Sequence, residues 1–290
     1  MPEIVVETRL DSLLAEITLA FRDAGVPNAG HEARLLIERF TGANQAELIS
    51  GADRAVVSAD RDAALAAMRR RIAGEPLHRI FGRRAFFGIE LELSPATLEP
   101  RPDTEILVDR IIPHARRIAA DTGTCDLLDL GTGTGAIALA VLAEVEGVNA
   151  TGVDIDEGAV AVASANARLN GLAERFRAAR SDWFSAVDGK FHIIVSNPPY
   201  ISAREYEALP PEVREYDPKA ALLGGCDGFE AYRRIARDAG AHLHEAGVVG
   251  VEIGFRQREA VSAIFAEHCF RVSEAAHDLA GHDRVLIFCR

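Results

Sequence analysis

Apolar residues recur at helical spacing over the first quarter of the chain. Leu10, Leu13, Leu14, Ile17 and Phe21 form one stripe, which Gly25 and Pro27 stop. Ala33, Leu36, Ile37 and Phe40 form a second. Leu65, Met68 and Ile72 form a third, entered through Asp60 and closed by Gly74 and Pro76. Together they predict a small helical bundle. The pattern then changes. Ile80–Gly82 and Phe86–Leu93 read as two short strands joined by Arg83 and Arg84, the second alternating apolar and acidic positions. Glu99 to Glu105, with Pro100 and Pro102, is a stiff loop before a helix that starts near Thr104. From residue 126 onward strands alternate with helices. That alternation predicts an α/β fold with a mostly parallel sheet and helices on both faces. Two closing strands with no helix between them predict an antiparallel edge strand. The expected organisation is a helical domain over 1–75, a β-hairpin linker over 76–98 and an α/β domain over 99–290.

Composition narrows the function classes. No apolar run of about 18 residues predicts a membrane span. The acidic start, Met1-Pro2-Glu3, lacks the basic opening of a secretory signal, and Cys125, Cys226, Cys269 and Cys289 have no metal or redox spacing. Reduced thiols in the cytoplasm and no metal are expected. The net charge of −12 disfavours bulk binding to nucleic acid. It is unevenly spread: residues 1–90 hold 12 arginines against 13 acids, and the rest hold 20 basic against 31 acidic residues. Arg69, Arg70, Arg71, Arg79, Arg83 and Arg84 cluster, either as a solvated helix end with favourable C-terminal cations or as a docking patch.

Two stretches carry chemistry. Asp129-Leu130-Gly131-Thr132-Gly133-Thr134-Gly135 follows the first strand of the sheet and opens a helix, as a ligand-binding glycine turn does. Asp154, at the end of the next strand, suits a ribose diol. A dinucleotide fingerprint can be forced onto the glycines, but a carboxylate at Asp129 is costly beside a diphosphate and favourable beside a sulfonium. Asp182 and Trp183, after the third strand, fit an adenine, with an acceptor for its amine and a ring to cover its face; Trp183 can equally be an ordinary half-buried tryptophan. An acidic pocket of this kind suits S-adenosyl-L-methionine, a cationic adenosine without phosphates.

The second stretch is Ser196-Asn197-Pro198-Pro199-Tyr200, where a buried strand stops at two prolines. An amide or ring-conjugated NH2 is a poor nucleophile that no ordinary side chain can deprotonate. Acceptors on its N–H bonds can hold it instead. The side-chain oxygen of Asn197 and the carbonyl of Pro198 can be those acceptors, the prolines aim them at little entropic cost, and the ring of Tyr200 can lie flat on the planar group.

The combination resembles the NPPY amino-methyltransferases, and closely the HemK/PrmC protein-(glutamine-N5) methyltransferases of peptide chain release factors. The resemblance spans nearly the whole chain, through Gly74-Glu75-Pro76, Pro100 to Glu105, Asp129 to Gly135, Ser181 to Phe184, Asn197 to Tyr200, Ala221 to Gly228, Glu252-Ile253-Gly254 and Asp278 to Val285. It implies a class I S-adenosylmethionine-dependent methyltransferase, Rossmann-like, with a helical domain that grips the release factor. The glutamine of the factor's Gly-Gly-Gln loop would sit between Asn197 and Pro198, beside Pro199 and Tyr200. Arg101 and Thr104 would border the pocket, although Thr104 also reads as the cap of the next helix. A monomer suffices. Glu99 and Arg79 depart from the aliphatic and aromatic residues common in the family. The rivals are a glutamine methyltransferase of a large-subunit ribosomal protein, a DNA or RNA amino-methyltransferase, a silent binding module and an NAD-dependent oxidoreductase. The acidic charge and the lack of a basic recognition domain count against nucleic acid.

Overall fold

The computed structural model describes residues 8–50 and 54–290. The acidic start read above for a targeting signal lies outside them. The chain divides into two compact units, one ending at Phe81 and one beginning at Gly82.

In the first unit β1 (Thr8–Arg9) precedes α1 (Leu10–Asp23), α2 (Ala29–Thr41) and α3 (Gln45–Ser50); β2 (Ala55–Val56), α4 (Ser58–Ile72) and α5 (Leu77–Phe81) follow. The first two stripes pack as expected: Leu10, Leu13, Ile17, Phe21, Leu36 and Ile37 are all buried. The third differs. α4 buries Ala64, Ala67 and Arg71, while Ile72 is 40% exposed. Alanines bring α4 close to its neighbours, and the Arg71 guanidinium meets Glu32 of α2 at 2.6 Å. Residues 80–81, read as strand, belong to α5, which stops at Gly82 in the left-handed region (φ 67°).

The second unit opens with a hairpin of β3 (Arg83–Phe86) and β4 (Ile89–Glu92). Its turn is Phe87-Gly88, with φ of 44° and 80°, the signs that a two-residue turn matching strand twist requires. Arg83 and Arg84 therefore lie in a strand rather than in a link between strands. Arg83 pairs with Glu90 and Glu92 across the hairpin. Arg84 pairs with the buried Glu99, so the acid that departs from the family pattern has its own counter-charge. With Arg70 on Glu75 and Arg71 on Glu32, four arginines of the cluster are held by carboxylates.

Then come α6 (Thr104–Thr122), β5 (Cys125–Leu130), α7 (Ala136–Glu144), β6 (Val148–Asp154), α8 (Glu157–Leu169), β7 (Phe176–Arg180) and β8 (Phe191–Ser196). Three short helices follow, α9 (Ala203–Glu207), α10 (Pro211–Tyr216) and α11 (Lys219–Leu222), then α12 (Glu230–His242), β9 (Leu243–Glu252), α13 (Arg258–Ala266), β10 (Arg271–His277) and β11 (Asp283–Cys289). The seven-stranded sheet runs β10-β11-β9-β8-β5-β6-β7. β5 to β9 are mutually parallel, and β11 pairs antiparallel with both β9 and β10. The antiparallel strand thus sits one place in from the edge, because the crossover through α13 lays β10 outside it before the chain turns back. Leu127 and Ile193 face one core, with α6 and α7. Leu128 and Ile194 face the other, with α12 and α13. β5 and β8 are central, so their carboxyl ends meet in the crevice where open α/β sheets bind ligands.

Candidate active site

A cavity of about 400 Å³ opens over those strand ends. The turn after β5 forms one wall. The N–H groups of Gly131 and Thr132 both donate to the Val153 carbonyl, which folds the turn against β6. Gly133 N–H donates to Asp154 Oδ2 at 2.9 Å, and Asp156 N–H to Asp154 Oδ1 at 3.1 Å. Close approach explains one glycine outside the motif: a Cβ on Gly152 would lie 2.7 Å from the Thr132 hydroxyl. Gly135, the cap of α7, would place a Cβ 2.9 Å from Leu139.

Of the residues expected to hold the cofactor, Gly131, Thr132, Gly133, Asp154, Asp182, Trp183 and Asn197 line this cavity. Gly135 and Asp129 do not. Asp129 is wholly buried beneath the turn, where its Oδ2 accepts from the Thr132 hydroxyl at 2.8 Å. Burial pushes its carboxyl up to about 7, against the pull of that hydrogen bond. Its place in β5, two residues after Leu127, puts it on the α6 and α7 face of the sheet, so it braces the turn from below. Asp154, Asp156, Asp182 and Glu230 are the lining carboxylates, with Arg234 as the lining cation. Asp182 meets Arg234 at 2.7 Å. Trp183 holds a left-handed backbone (φ 54°), and its carbonyl accepts from the Ser181 hydroxyl. The cavity therefore brings together the backbone of the glycine turn, the carboxylates of Asp154 and Asp182, and the indole of Trp183.

The other wall carries Asn197 and Pro199. Ser196 pins the start of this loop to the first wall by donating to the Leu130 carbonyl at 2.7 Å. Asn197 Nδ2 donates to the Thr104 hydroxyl oxygen at 3.0 Å, and that hydroxyl donates to Glu252 at 2.6 Å. Thr104 is the first residue of α6 but makes no cap: its hydroxyl serves the loop instead. Pro198 is buried and Tyr200 half-buried; neither side chain lines the cavity, and Tyr200 packs against the α12 side of the sheet. Burial pushes the Tyr200 phenol up to about 12. Arg101 is turned to the buried Asp217 at 2.9 Å and likewise stands off the cavity.

The structure adds residues to which the sequence assigned no role. Ile201 exchanges hydrogen bonds with Leu222 and Gly224, so the segment after α11 straps the proline loop. Gly224 lies so close that a Cβ would fall 2.5 Å from the Pro199 carbonyl. Gln257 donates to the Tyr200 carbonyl at 3.0 Å. Only the glycine spacing at 224, 225 and 228 hinted at such contact.

Comparison with known proteins agrees with this geometry. Residues 104–209 match the Methyltransferase small domain, and residues 12–82 the PrmC N-terminal domain. A release factor glutamine methyltransferase from Agrobacterium fabrum is 51% identical over 92% of both chains. One from Rhodospirillum rubrum is 41% identical over 91% of this chain and 80% of its own. The chain belongs to the release factor glutamine methyltransferase family. Among solved structures, the hMettl16 catalytic domain aligns with a TM-score of 0.53 at 16% identity over 79% of this chain and 81% of its own, which supports the class I methyltransferase fold alone. As a member of this family the protein is an S-adenosylmethionine-dependent transferase. No helix among the described residues is long and apolar enough to cross a membrane.

Proposed function

We propose that this protein transfers a methyl group from S-adenosylmethionine to the side-chain amide nitrogen of the glutamine in the Gly-Gly-Gln loop of peptide chain release factors. One observation carries the reading: Asn197 and Pro199 open into the same cavity as the glycine turn and Asp154, so an acceptor amide and a methyl donor share one space. S-adenosylmethionine, when bound, supplies an electrophilic methyl on a sulfonium. The chain's own residues do the rest by position. Asp154 accepts from the ribose hydroxyls, Asp182 and Trp183 hold the adenine, and Asp129 keeps the turn in shape.

Asn197 Oδ1 and the Pro198 carbonyl accept the two N–H bonds of the substrate amide. They aim its nitrogen and favour the pyramidal, positively charged form it takes as the new bond grows. Tyr200, packed against the α12 side of the sheet, supports this loop from outside the cavity, and the proton leaves to water. We further propose that the helical unit grips the release factor, that the enzyme acts as a monomer without nucleic acid, and that it works in the cytoplasm, consistent with four free cysteines.

The test is methyl transfer from labelled S-adenosylmethionine to a purified release factor, beside a variant with alanine for its loop glutamine, duplex DNA and total RNA. Label on the intact factor alone is expected. Label on nucleic acid, or equal label on the alanine variant, would refute the reading.

A further inference from the structure

Behind Asn197 lies a carboxyl group that the chemistry above does not use. Glu252 ends β9 and is buried. It accepts from Thr104, which accepts from Asn197 Nδ2, so three side chains from the starts or ends of α6, β8 and β9 form one line. Around the carboxyl stand the amide of Asn197 itself, which favours the ionised form as Thr104 does, the guanidinium of Arg284 from β11, the carboxylate of Asp103 just before α6, and the phenols of Tyr200 and Tyr232. Burying a carboxylate is costly unless its partners compensate. What Glu252 gains in return is direction.

A threonine hydroxyl has one proton to give. When it gives that proton to a carboxylate, its oxygen can only accept from Asn197. An ionised carboxylate has no proton to return, so the line cannot reverse. Asn197 must then turn its NH2 inward and its oxygen outward. Packing alone cannot make that choice, because the two ends of an amide have nearly the same shape. We infer that Glu252, acting through Thr104, is a positioning residue that fixes the amide of Asn197 with its oxygen toward the substrate N–H. This rests on the reading of Asn197 as the acceptor for that N–H. The reversed amide would present a donor to a donor and lose the aim of the nucleophile. A glutamine at 252 permits the reversal: its NH2 can donate to Thr104, whose proton then turns to Asn197 Oδ1.

Protonation of Glu252 acts in the same sense, since a carboxylic acid can also donate to Thr104. Burial pushes this carboxyl up to about 7, opposed by the Thr104 hydrogen bond and Arg284. Turnover should therefore fall as pH drops through neutrality, with a limb that belongs to this group.

The experiment measures kcat on a release factor across neutral pH, and S-adenosylmethionine affinity by calorimetry, for Glu252→Gln, Thr104→Val, Thr104→Ser and Asn197→Ala. Glu252→Gln and Thr104→Val are expected to lower kcat about ten- to a hundredfold. Their cofactor affinity should stay within about twofold of the parent, a change of about 0.4 kcal/mol. The limb near neutrality should vanish in Glu252→Gln, and Thr104→Ser should recover most of the rate lost in Thr104→Val. Parental kcat with the same limb in Glu252→Gln, or full kcat in Thr104→Val, would overturn the inference. So would loss of cofactor affinity in step with kcat, which would make the role structural. Retained turnover in Asn197→Ala would instead sink the underlying reading of the loop.

Discussion

The two walls of the cavity are built differently. The cofactor wall is mostly local: Gly131 to Gly135 fold on the neighbouring strand through backbone bonds, and their longest side-chain ties, Gly133 to Asp154 and Thr134 to Asn166, span 21 and 32 residues. The acceptor wall is assembled from afar. Thr104 is 93 residues from Asn197 and 148 from Glu252, Arg101 is 116 from Asp217, and the strap at Gly224 returns after three short helices. A wall made of backbone tolerates change in the rest of the fold. A wall made of convergent side chains depends on all of it.

Substitutions can sharpen that contrast. Asp154→Ala should weaken S-adenosylmethionine about a hundredfold, since it removes a charged acceptor and frees the Gly133 N–H, while kcat at saturating cofactor holds. Titration calorimetry beside saturation kinetics checks it; unchanged affinity with reduced kcat would contradict the assignment. Gly224→Ala should act on the opposite wall. Its Cβ meets backbone at 2.5 Å from Pro199 and 3.0 Å from Tyr200, so the proline loop must shift. We expect kcat to fall about tenfold with cofactor affinity preserved. A variant that loses cofactor first would show that the walls are not separable.

Smaller effects probe the cost of the acceptor wall. Burial raises the Glu252 carboxyl from its ordinary value of 4.5 to about 7. A raised value means that the folded protein holds this proton more tightly than the unfolded chain. The stability it contributes is complete below 4.5 and is lost as pH rises through about 7. Glu252→Gln does not titrate, so its melting temperature should exceed the parent's by a few degrees above neutrality and approach it in acid. A constant offset at every pH would refute this linkage. Smallest of all, Arg101→Ala should change unfolding free energy by no more than about 1 kcal/mol, since its side chain is half-exposed and the pair is screened by solvent. A larger loss in urea titration would assign the Arg101–Asp217 pair a greater part in the loop.

The contrast also explains what could be read from the sequence. Period and punctuation revealed the α/β sheet, the glycine turn and the proline loop, because each is a local pattern. They placed Leu65 and Met68 rightly against the core of the helical unit but missed the end of α4, where a paired arginine is buried and Ile72 is not. They put residues 80–81 in a strand, where a glycine-terminated helical turn lies. They aimed Asp129 at the ligand, although its strand position puts it on the covered α6 and α7 face of the sheet. Glu252 and Gly224 stood in stretches of the resemblance with no role attached and Gln257 gave no signal, because their partners lie far along the chain and no periodicity encodes a contact of that range.

The most direct test of the whole account is Asn197→Ala, assayed for cofactor binding and for single-turnover methyl transfer to a release factor on the same preparation. The account predicts transfer lowered at least about a thousandfold with S-adenosylmethionine bound as by the parent. Transfer at the parental rate would contradict it, and so would equal loss of binding and transfer, because either result would remove Asn197 from the chemistry.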